Sequence, residues 1–417
     1  MPSTVAYTAP ESMGMLPPEL ADIKKLAREV VEKECIPLEA EFLGTDPRTV
    51  DQGSVLTLGD HRGRNGALPA ATWERLRQVA LDTGLFTVDL PVELGGLGLG
   101  ALGSFVVAEE LNRSLVQLPV AKVPGALYRC EGTQRERYLY PVVAGEKRFA
   151  FALTEPESGS DATRIRTRAT RSGPGTWRIR GEKTFISGAD EADFVMLVAS
   201  VRENGDERGK PTLFLIDREV PGIDITPLRM WHTAAPHQFT MHVDVEVGDE
   251  QMLGGVGEGF RLAQHFLVIH DRLSRGALAC GILSRCLELA TDWVTQRSSF
   301  GAPLADRQAI QWALTDVLMI LKSIRAVSYE CAAKADQGED VRTLAAMAKF
   351  MGGNWGHRAI DAIMQIFGGL GESEEFPVVH WYRNLRHARI GGGTDEVQRI
   401  LMARALLSGS GGALWEA

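Results

Sequence analysis

The chain has 417 residues, 44% of them hydrophobic and 24% charged, with a net charge of −9, which predicts a soluble globular protein of two or three domains. The acidic balance argues against a nucleic-acid binder, whose footprint is basic, while leaving room for a local basic pocket. Five scattered cysteines, Cys35, Cys130, Cys280, Cys286 and Cys331, show no C-x-x-C spacing and support neither a disulfide framework nor a metal site.

From the N-terminus, Met1-Pro2-Ser3-Thr4-Val5 leads into sequence with no charged start, no long apolar run and no Arg before Arg28. Neither a secretory signal nor a transit peptide is expected, and no run is apolar enough to span a membrane, so the expectation is cytoplasmic. Pro18 to Gly145 is mostly helical in pattern: Glu19 to Ala27, Thr72 to Leu81 and Ala101 to Leu111 place apolar residues three and four apart. A Gly/Asp/Arg-rich stretch from Leu43 to Pro69 reads as a long loop.

The character changes at Phe149. The runs Phe149–Leu153, Trp177–Arg180, Phe194–Val198, Thr212–Ile216 and Phe239–Val245 are short β-type segments separated by turn residues, predicting an antiparallel sheet or small barrel. From Gly259 the helical period returns over Phe260–Arg297, Ile310–Ala335 and Val341–Phe367, the last stopping at Gly368-Gly369. The expected division is a helical domain 1–148, a β-domain 149–248 and a helical bundle 249–417. His232, His237 and His242, five residues apart, share no face and read as structural or surface residues.

Gly98-Leu99-Gly100-Ala101-Leu102-Gly103 matches the dinucleotide-binding G-x-G-x-x-G. A Rossmann unit needs the preceding strand to run into the glycines and an acidic strand end about 20 residues later. Pro91 interrupts the first, and Gln117-Leu118-Pro119-Val120 stands where the second is required, so a Gly-rich bend between helices accounts for the match. Leu153-Thr154-Glu155-Pro156-Glu157-Ser158-Gly159-Ser160-Asp161 offers hydroxyls and turn N–H groups suited to a heterocycle edge or a phosphate, although alone it is also a polar turn ending a strand.

Downstream stand Gly181-Glu182-Lys183-Thr184-Phe185-Ile186-Ser187-Gly188, Gln296-Arg297-Ser298-Ser299-Phe300-Gly301 with Gln308, Gln365-Ile366-Phe367-Gly368-Gly369-Leu370-Gly371, and Tyr382-Arg383-Asn384 through Gly393-Thr394-Asp395-Glu396-Val397-Gln398-Arg399. With the Gly95–Gly100 loop before Glu109-Glu110-Leu111, these blocks resemble, in order and over nearly the whole chain, the signatures of the acyl-CoA dehydrogenase family. The resemblance implies an α+β fold: an N-terminal helical domain, a central antiparallel β-barrel or sheet domain and a C-terminal four-helix bundle, with FAD between the last two. It implies flavin contacts from Phe151, Leu153, Thr154, Ser160, Phe185, Ile186 and Ser187, Phe185 replacing the commoner Trp as an aromatic wall. Arg297, Ser299, Phe300, Gln308, Gln365, Ile366, Phe367, Gly368 and Gly369 would reach the cofactor of a neighbouring subunit, with Thr394 and Glu396 also on the cofactor. An acyl-CoA substrate, an electron-transferring flavoprotein as acceptor and a homotetramer built as two dimers follow from the same resemblance.

The chain departs from the family at the base. The familiar Y-E-G-T glutamate position is Gly392, within Ile390-Gly391-Gly392-Gly393-Thr394. A subset of the family instead carries its carboxylate on the first long helix of the bundle, directly before an Arg and 25 residues before the (E/Q)-R-x-x-F-G motif; here that is Asp271, followed by Arg272. Asp271 is also spaced as an ordinary i,i+4 partner of Arg275. The implied reaction is oxidation of an acyl-CoA to the 2,3-enoyl-CoA, with Asp271 taking the α-proton and the β-hydride passing to flavin N5. Ser160, Arg272, Gly391 and Gly392 are the substrate-side residues, Gly392 through its backbone N–H. Two alternatives stand beside it: a flavin oxidase or monooxygenase on the same fold, acting on a nitroalkane, amine or aromatic compound, and a non-catalytic flavoprotein subunit.

Overall fold

The computed structural model describes residues 16–45, 67–88, 90–121, 123–162, 164–202, 209–233 and 237–408, the side chains of 265–267 and 270 excepted. Most of the predicted Leu43–Pro69 loop lies outside the described residues. The chain forms two compact units, one uniting the residues up to Leu118 with those from Asp271 onward, the other running from Pro119 to His270, apart from residues outside the description.

In the first unit the helix Pro18–Val30 opens with proline in its first turn and buries Leu20, Ala27 and Val30 along one stripe. Its polar face is anchored as well. Lys24 donates to Glu109 at 2.8 Å and Arg28 to Glu110 at 3.0 Å, both carboxylates lying on the helix Gly100–Leu111. Arg325, on the long helix Gln308–Asp336, reaches Glu109 at 2.6 Å. Burial by itself would push the Glu109 carboxyl up, but Lys24 and Arg325 outweigh it and hold it below its ordinary range. A fully paired buried carboxylate therefore ties the N-terminal helices to the bundle.

The segment before the glycines is no strand: Leu85–Thr87 is a single 3-10 turn. The helix Gly100–Leu111 starts at Gly100 in a left-handed conformation, φ +66°, where a Cβ would lie 2.3 Å from Asp336 Oδ1. Asp336 accepts from the N–H groups of Ala101 (2.6 Å) and Leu102 (3.0 Å). The N-terminal donors that a Rossmann unit reserves for a pyrophosphate are occupied by a carboxylate of the same unit.

The C-terminal helices are Ser274–Gln296, Gln308–Asp336, Arg342–Phe350, Gly356–Phe367, Pro377–Ala388 and Asp395–Leu407. The predicted Val341–Phe367 helix is continuous in direction of chain but passes through a wider π turn at Met351–Trp355. Glycines let these helices approach closely: a Cβ on Gly276 would meet Ser328 Oγ at 2.3 Å.

The second unit is built on an eight-stranded sheet. Its strands are β1 (Phe149–Ala152), β2 (Arg168–Gly173), β3 (Thr176–Ser187), β4 (Phe194–Val201), β5 (Lys210–Asp217), β6 (Ile223–Leu228), β7 (Gln238–Gly248) and β8 (Met252–Leu253), ordered β6-β7-β3-β2-β4-β5-β8 with β1 also on β4. All five predicted strands are present. The sheet is not wholly antiparallel: β1 pairs parallel with residues 194–197 of β4 and β2 pairs parallel with residues 200–201. Two short strands thus share one edge of β4, which is buried along its entire length. Alternating residues of β3 and β7, among them Trp177, Ile179, Val243 and Val245, fill the core. The five cysteines are free and buried, Cys35, Cys130 and Cys331 being pushed up to about 12 chiefly by burial.

Candidate active site

Asp271 lies in a π-helical stretch, Phe266–Leu273, immediately before the helix Ser274–Gln296. Its side chain is 17% exposed and accepts from Arg275 at 2.7 Å, so the i,i+4 pair expected of the spacing exists. The same carboxylate also faces the glycine turn. A Cβ built on Gly392, which has φ +72°, would fall 2.5 Å from Asp271 Oδ2. Asp271 and the turn position where the resemblance puts the familiar glutamate therefore converge on one point, and a side chain at 392 would collide with the one at 271. Gly391 lies beside Arg275, whose terminal nitrogen is 3.5 Å from its built Cβ.

The surroundings are cationic. Arg272 is 6% exposed, its Nε makes no hydrogen bond among the described residues, and burial draws its pKa below the ordinary arginine value. Lys349, fully buried, lies 3.7 Å from Asp395 and donates to the Arg389 carbonyl at 3.2 Å. Burial is the main cause bringing Lys349 down to about 8, with Asp395 opposing; Arg275 lowers it further and Asp271 raises it. Arg389 and Asn354 bind Asp395 Oδ2 at 2.8 and 3.0 Å. Four cations, Arg272, Arg275, Lys349 and Arg389, accompany two carboxylates, Asp271 and Asp395. Arg272 and Lys349 are buried and Arg275 and Arg389 partly exposed, and such an excess of positive charge suits a ligand or intermediate that brings negative charge.

Lys349, Asn354 and Arg389 were not singled out from the sequence, and Gln398 stood there only as part of the Gly393–Arg399 block, with no role of its own. Lys349 stands inside the apolar run Leu344–Phe350, most of which is buried. Gln398 is fully buried and donates to the carbonyls of Gly392 (3.2 Å) and Gly393 (2.9 Å).

Of the expected cofactor residues, those of the second unit form one group. Lys183, fully buried, donates to the Leu153 carbonyl (3.0 Å) and to Glu155 (2.7 Å), and Thr184 N–H binds the Thr154 carbonyl at 2.9 Å. Glu155 also accepts from the N–H groups of Arg166 and Thr167. Burial pushes Lys183 down to about 8, against the pull of Glu155. The Leu153–Glu155 segment is thereby stapled to β3. Between Lys183 and Ile186 the β3–β7 register slips, and there Phe185 adopts φ 57° with its ring 54% exposed. A bulge re-aims one side chain and stores strain at the place where a ring is presented. Ser160 and Ser187 are exposed, Phe151, Leu153 and Thr154 half-buried. Ile186 points into the sheet core at 1% exposure, so only its backbone is available. An aromatic face with hydroxyls and fixed backbone groups fits the edge of a flat heterocycle such as a flavin.

The first unit holds the remaining ones. Arg297, Ser299 and Phe300 lie on a tight hairpin whose Ser299 and Phe300 carbonyls are bound by Arg307. Phe300 has φ 49° and is 99% exposed. Arg297 lies over Trp293, 5.7 Å from its ring, and Trp293 packs on Phe367 at 5.8 Å. Trp293 therefore brings the hairpin and the Gln365–Gly369 turn together. Gln308, Gln365, Gly368 and Gly369 are exposed, whereas Ile366 and Phe367 are 5% exposed and hold the turn from beneath. Thr394 caps the helix Asp395–Leu407, accepting from Val397 N–H, and Glu396 is exposed beside it.

Three family models match in chain order: Acyl-CoA dehydrogenase, N-terminal domain, over residues 52–146, middle domain over 150–243 and C-terminal domain over 257–407. The chain is 31% identical to (R)-benzylsuccinyl-CoA dehydrogenase of Thauera aromatica, across 93% of this chain and 95% of that one. It is 30% identical to the mitochondrial short-chain specific acyl-CoA dehydrogenase of Bos taurus, across 92% and 89%. Among solved structures, butyryl-CoA dehydrogenase from Megasphaera elsdenii superposes with a TM-score of 0.78 at 29% identity, covering 94% of this chain and 99% of that chain.

Proposed function

The chain belongs to the acyl-CoA dehydrogenase family of FAD-dependent oxidoreductases, and from that premise we propose that it oxidises an acyl-CoA thioester to the 2,3-enoyl-CoA with Asp271 as the base. The observation that carries this reading is the placement of the Asp271 carboxylate against Gly392, the one of the turn's three glycines at which an added Cβ would meet it. FAD, when bound, supplies the hydride acceptor. Phe185, Leu153, Thr154, Ser160 and Ser187 of the second unit would hold it, while Arg297, Ser299, Phe300, Gln308, Gln365, Gly368 and Gly369 of the first would reach the cofactor of a neighbouring subunit.

Asp271 takes the proton from the thioester α-carbon, and Arg275 keeps the carboxylate in one rotamer. The Gly392 N–H, which has no acceptor among the described residues, donates to the thioester oxygen as negative charge develops there. The cations around the turn favour that charge. Electrons leave to an electron-transferring flavoprotein, and the protein assembles as a homotetramer.

Anaerobic titration with a panel of saturated acyl-CoAs tests the reading. Bleaching of the flavin by one of them is expected, and Asp271→Asn should retain FAD and ligand binding but reduce flavin ~10²–10⁴-fold more slowly. The Asp271–Arg275 pair favours a second reading, in which Asp271 only bridges one helical turn and the enzyme is a flavin oxidase. On that reading Asp271→Asn leaves the reduction rate almost unchanged, since an i,i+4 pair contributes only ~0.2–0.5 kcal/mol to stability.

A further inference from the structure

The turn from Arg389 to Thr394 contains three successive glycines, two of them with positive φ, +72° at Gly392 and +90° at Gly393. Such a sequence has little intrinsic rigidity, yet a backbone donor must be held still to stabilise charge. The structure shows what restrains it. On the N-terminal side, Gly391 N–H binds the His387 carbonyl at 3.2 Å. On the C-terminal side, the Gln398 amide nitrogen binds both the Gly392 and the Gly393 carbonyls, at 3.2 and 2.9 Å. Two carbonyl partners define which end of the amide is nitrogen, because only the NH₂ group can donate to both.

The peptide planes on either side of the Gly391–Gly392 peptide are thereby fixed, and the one between them carries the N–H that has no acceptor among the described residues. Gln398 is itself immobilised: it is fully buried, its own N–H binds the Thr394 carbonyl at 3.0 Å, and Thr394 caps the same helix. The turn fits this side chain closely, since a Cβ on Gly393 would come within 2.8 Å of Gln398 Nε2. A further set of contacts anchors the turn's base, where Asp395 N–H and Lys349 Nζ share the Arg389 carbonyl at 3.1 and 3.2 Å.

We propose that Gln398 is a positioning residue for the thioester: by clamping the Gly392 and Gly393 carbonyls it aims the Gly392 N–H at the thioester oxygen. This rests on the acyl-CoA reading above. The side chain touches neither substrate nor cofactor in this role; it acts through the backbone it holds.

The test is made on FAD-loaded full-length enzyme with Gln398→Met, which keeps length and volume but removes both donors, and Gln398→Glu, which keeps the shape and sets an acceptor against the carbonyls. Three readouts are taken: the dissociation constant of the acyl-CoA that bleaches the wild type, the rate of flavin reduction, and the absorption of a bound aryl-enoyl-CoA. The chromophore of that last probe moves to the red when its carbonyl is polarised. The expected result is FAD occupancy retained, affinity changed by no more than a few-fold, reduction slowed at least ~10-fold, and the red shift diminished in both variants. The rate expectation is set below the ~10²–10³-fold cost of deleting such a donor outright, because the N–H remains present but misaimed. Folding is followed by thermal melting, and if the Met variant fails to fold the isosteric Glu variant decides. Wild-type reduction rate and full red shift in a folded variant overturn the proposal while leaving the thioester reading intact. A wild type that neither bleaches with acyl-CoAs nor shifts the probe overturns the thioester reading first, and the role of Gln398 with it.

Discussion

Asp271 and Gly392 come from two distant places in the chain and meet at one point. A Cβ at 392 would stand 2.5 Å from Asp271 Oδ2, at a φ of +72° that L side chains rarely adopt. Gly392→Ala should therefore displace the carboxylate or the turn, and misplacement by about 1 Å costs on the order of 10²-fold in rate. The complementary change uses the same geometry. Asp271→Ala vacates the space, so Asp271→Ala combined with Gly392→Glu should reduce flavin faster than Asp271→Ala alone, measured by anaerobic stopped flow with the same acyl-CoA. Equal rates in the single and double variants would show that the two positions do not share one proton-accepting point. Asp271 was legible because a fixed spacing from the Gln296-Arg297 motif led to it, and Gly392 because a glycine stood where the family has a glutamate. Gln398 and Lys349 were not, since their roles consist of contacts to a turn and to a helix distant in sequence. Single-residue chemistry identifies neither: Gln398 reads as one more polar residue in a helix and Lys349 as a misplaced charge.

At the level of elements, the five strands read from the sequence alternate or run apolar; β6 was missed although Ile223-Asp224-Ile225-Thr226 alternates, because Pro227 cuts the run short, and β2 was missed for want of any pattern. Strand β2 reads Arg-Ala-Thr-Arg-Ser-Gly and buries only Ala169 fully, so it carries no period-2 signal; it is a strand because β3 and β4 flank it. The π turns at Phe266–Leu273 and Met351–Trp355 left no mark either, because one extra residue per turn barely disturbs a 3.6 period. Of the Gly98–Gly103 stretch read as a bend, Gly98 and Leu99 form it and Gly100 to Gly103 already belong to the helix Gly100–Leu111, whose N-terminal partner was invisible from sequence. Asp336 seals the start of the helix Gly100–Leu111, and two influences compete there. Burial pushes its carboxyl up to about 6 from 3.8, against the two N–H donors that lower it. Between about pH 4 and 6 the folded protein then holds a proton that the unfolded chain has released, so this group makes the fold less stable as pH rises through that window. Asp336→Asn cannot titrate and loses one accepted hydrogen bond at every pH. The melting temperature of the wild type should accordingly fall relative to that of Asp336→Asn as pH is raised from 4 to 7. If the helix dipole dominates instead, the carboxylate is favoured and the difference runs the other way.

For the whole molecule, the surface of the C-terminal helices carries apolar groups that a lone chain leaves in water. On the helix Gln308–Asp336, Val317, Leu321 and Ile324 form the buried face, while Trp312 and Met319, seven residues apart and both 60% exposed, lie on another. Phe300, at the hairpin tip, is 99% exposed in a left-handed conformation, and Leu407 near the end of the last described helix is 88% exposed. Single exposed hydrophobes are ordinary, but a tryptophan and a methionine on one stripe, with a fully exposed ring on the hairpin just before that helix, suit the subunit contact proposed above. A second copy of the chain is the expected partner, in keeping with the homotetramer proposed above. Sedimentation equilibrium on the FAD-loaded protein should give four chains per particle at micromolar concentration. Trp312→Glu with Met319→Glu should lower that number while far-UV circular dichroism stays unchanged, because neither side chain belongs to the core. Phe300→Ser should leave folding intact and weaken FAD retention, since the hairpin is proposed to reach the cofactor of a neighbouring subunit. A dimer with full flavin would refute the tetramer alone. A monomer that keeps its flavin at those concentrations would refute the shared site as well, and would require Arg297 and Phe300 to serve the cofactor of their own chain.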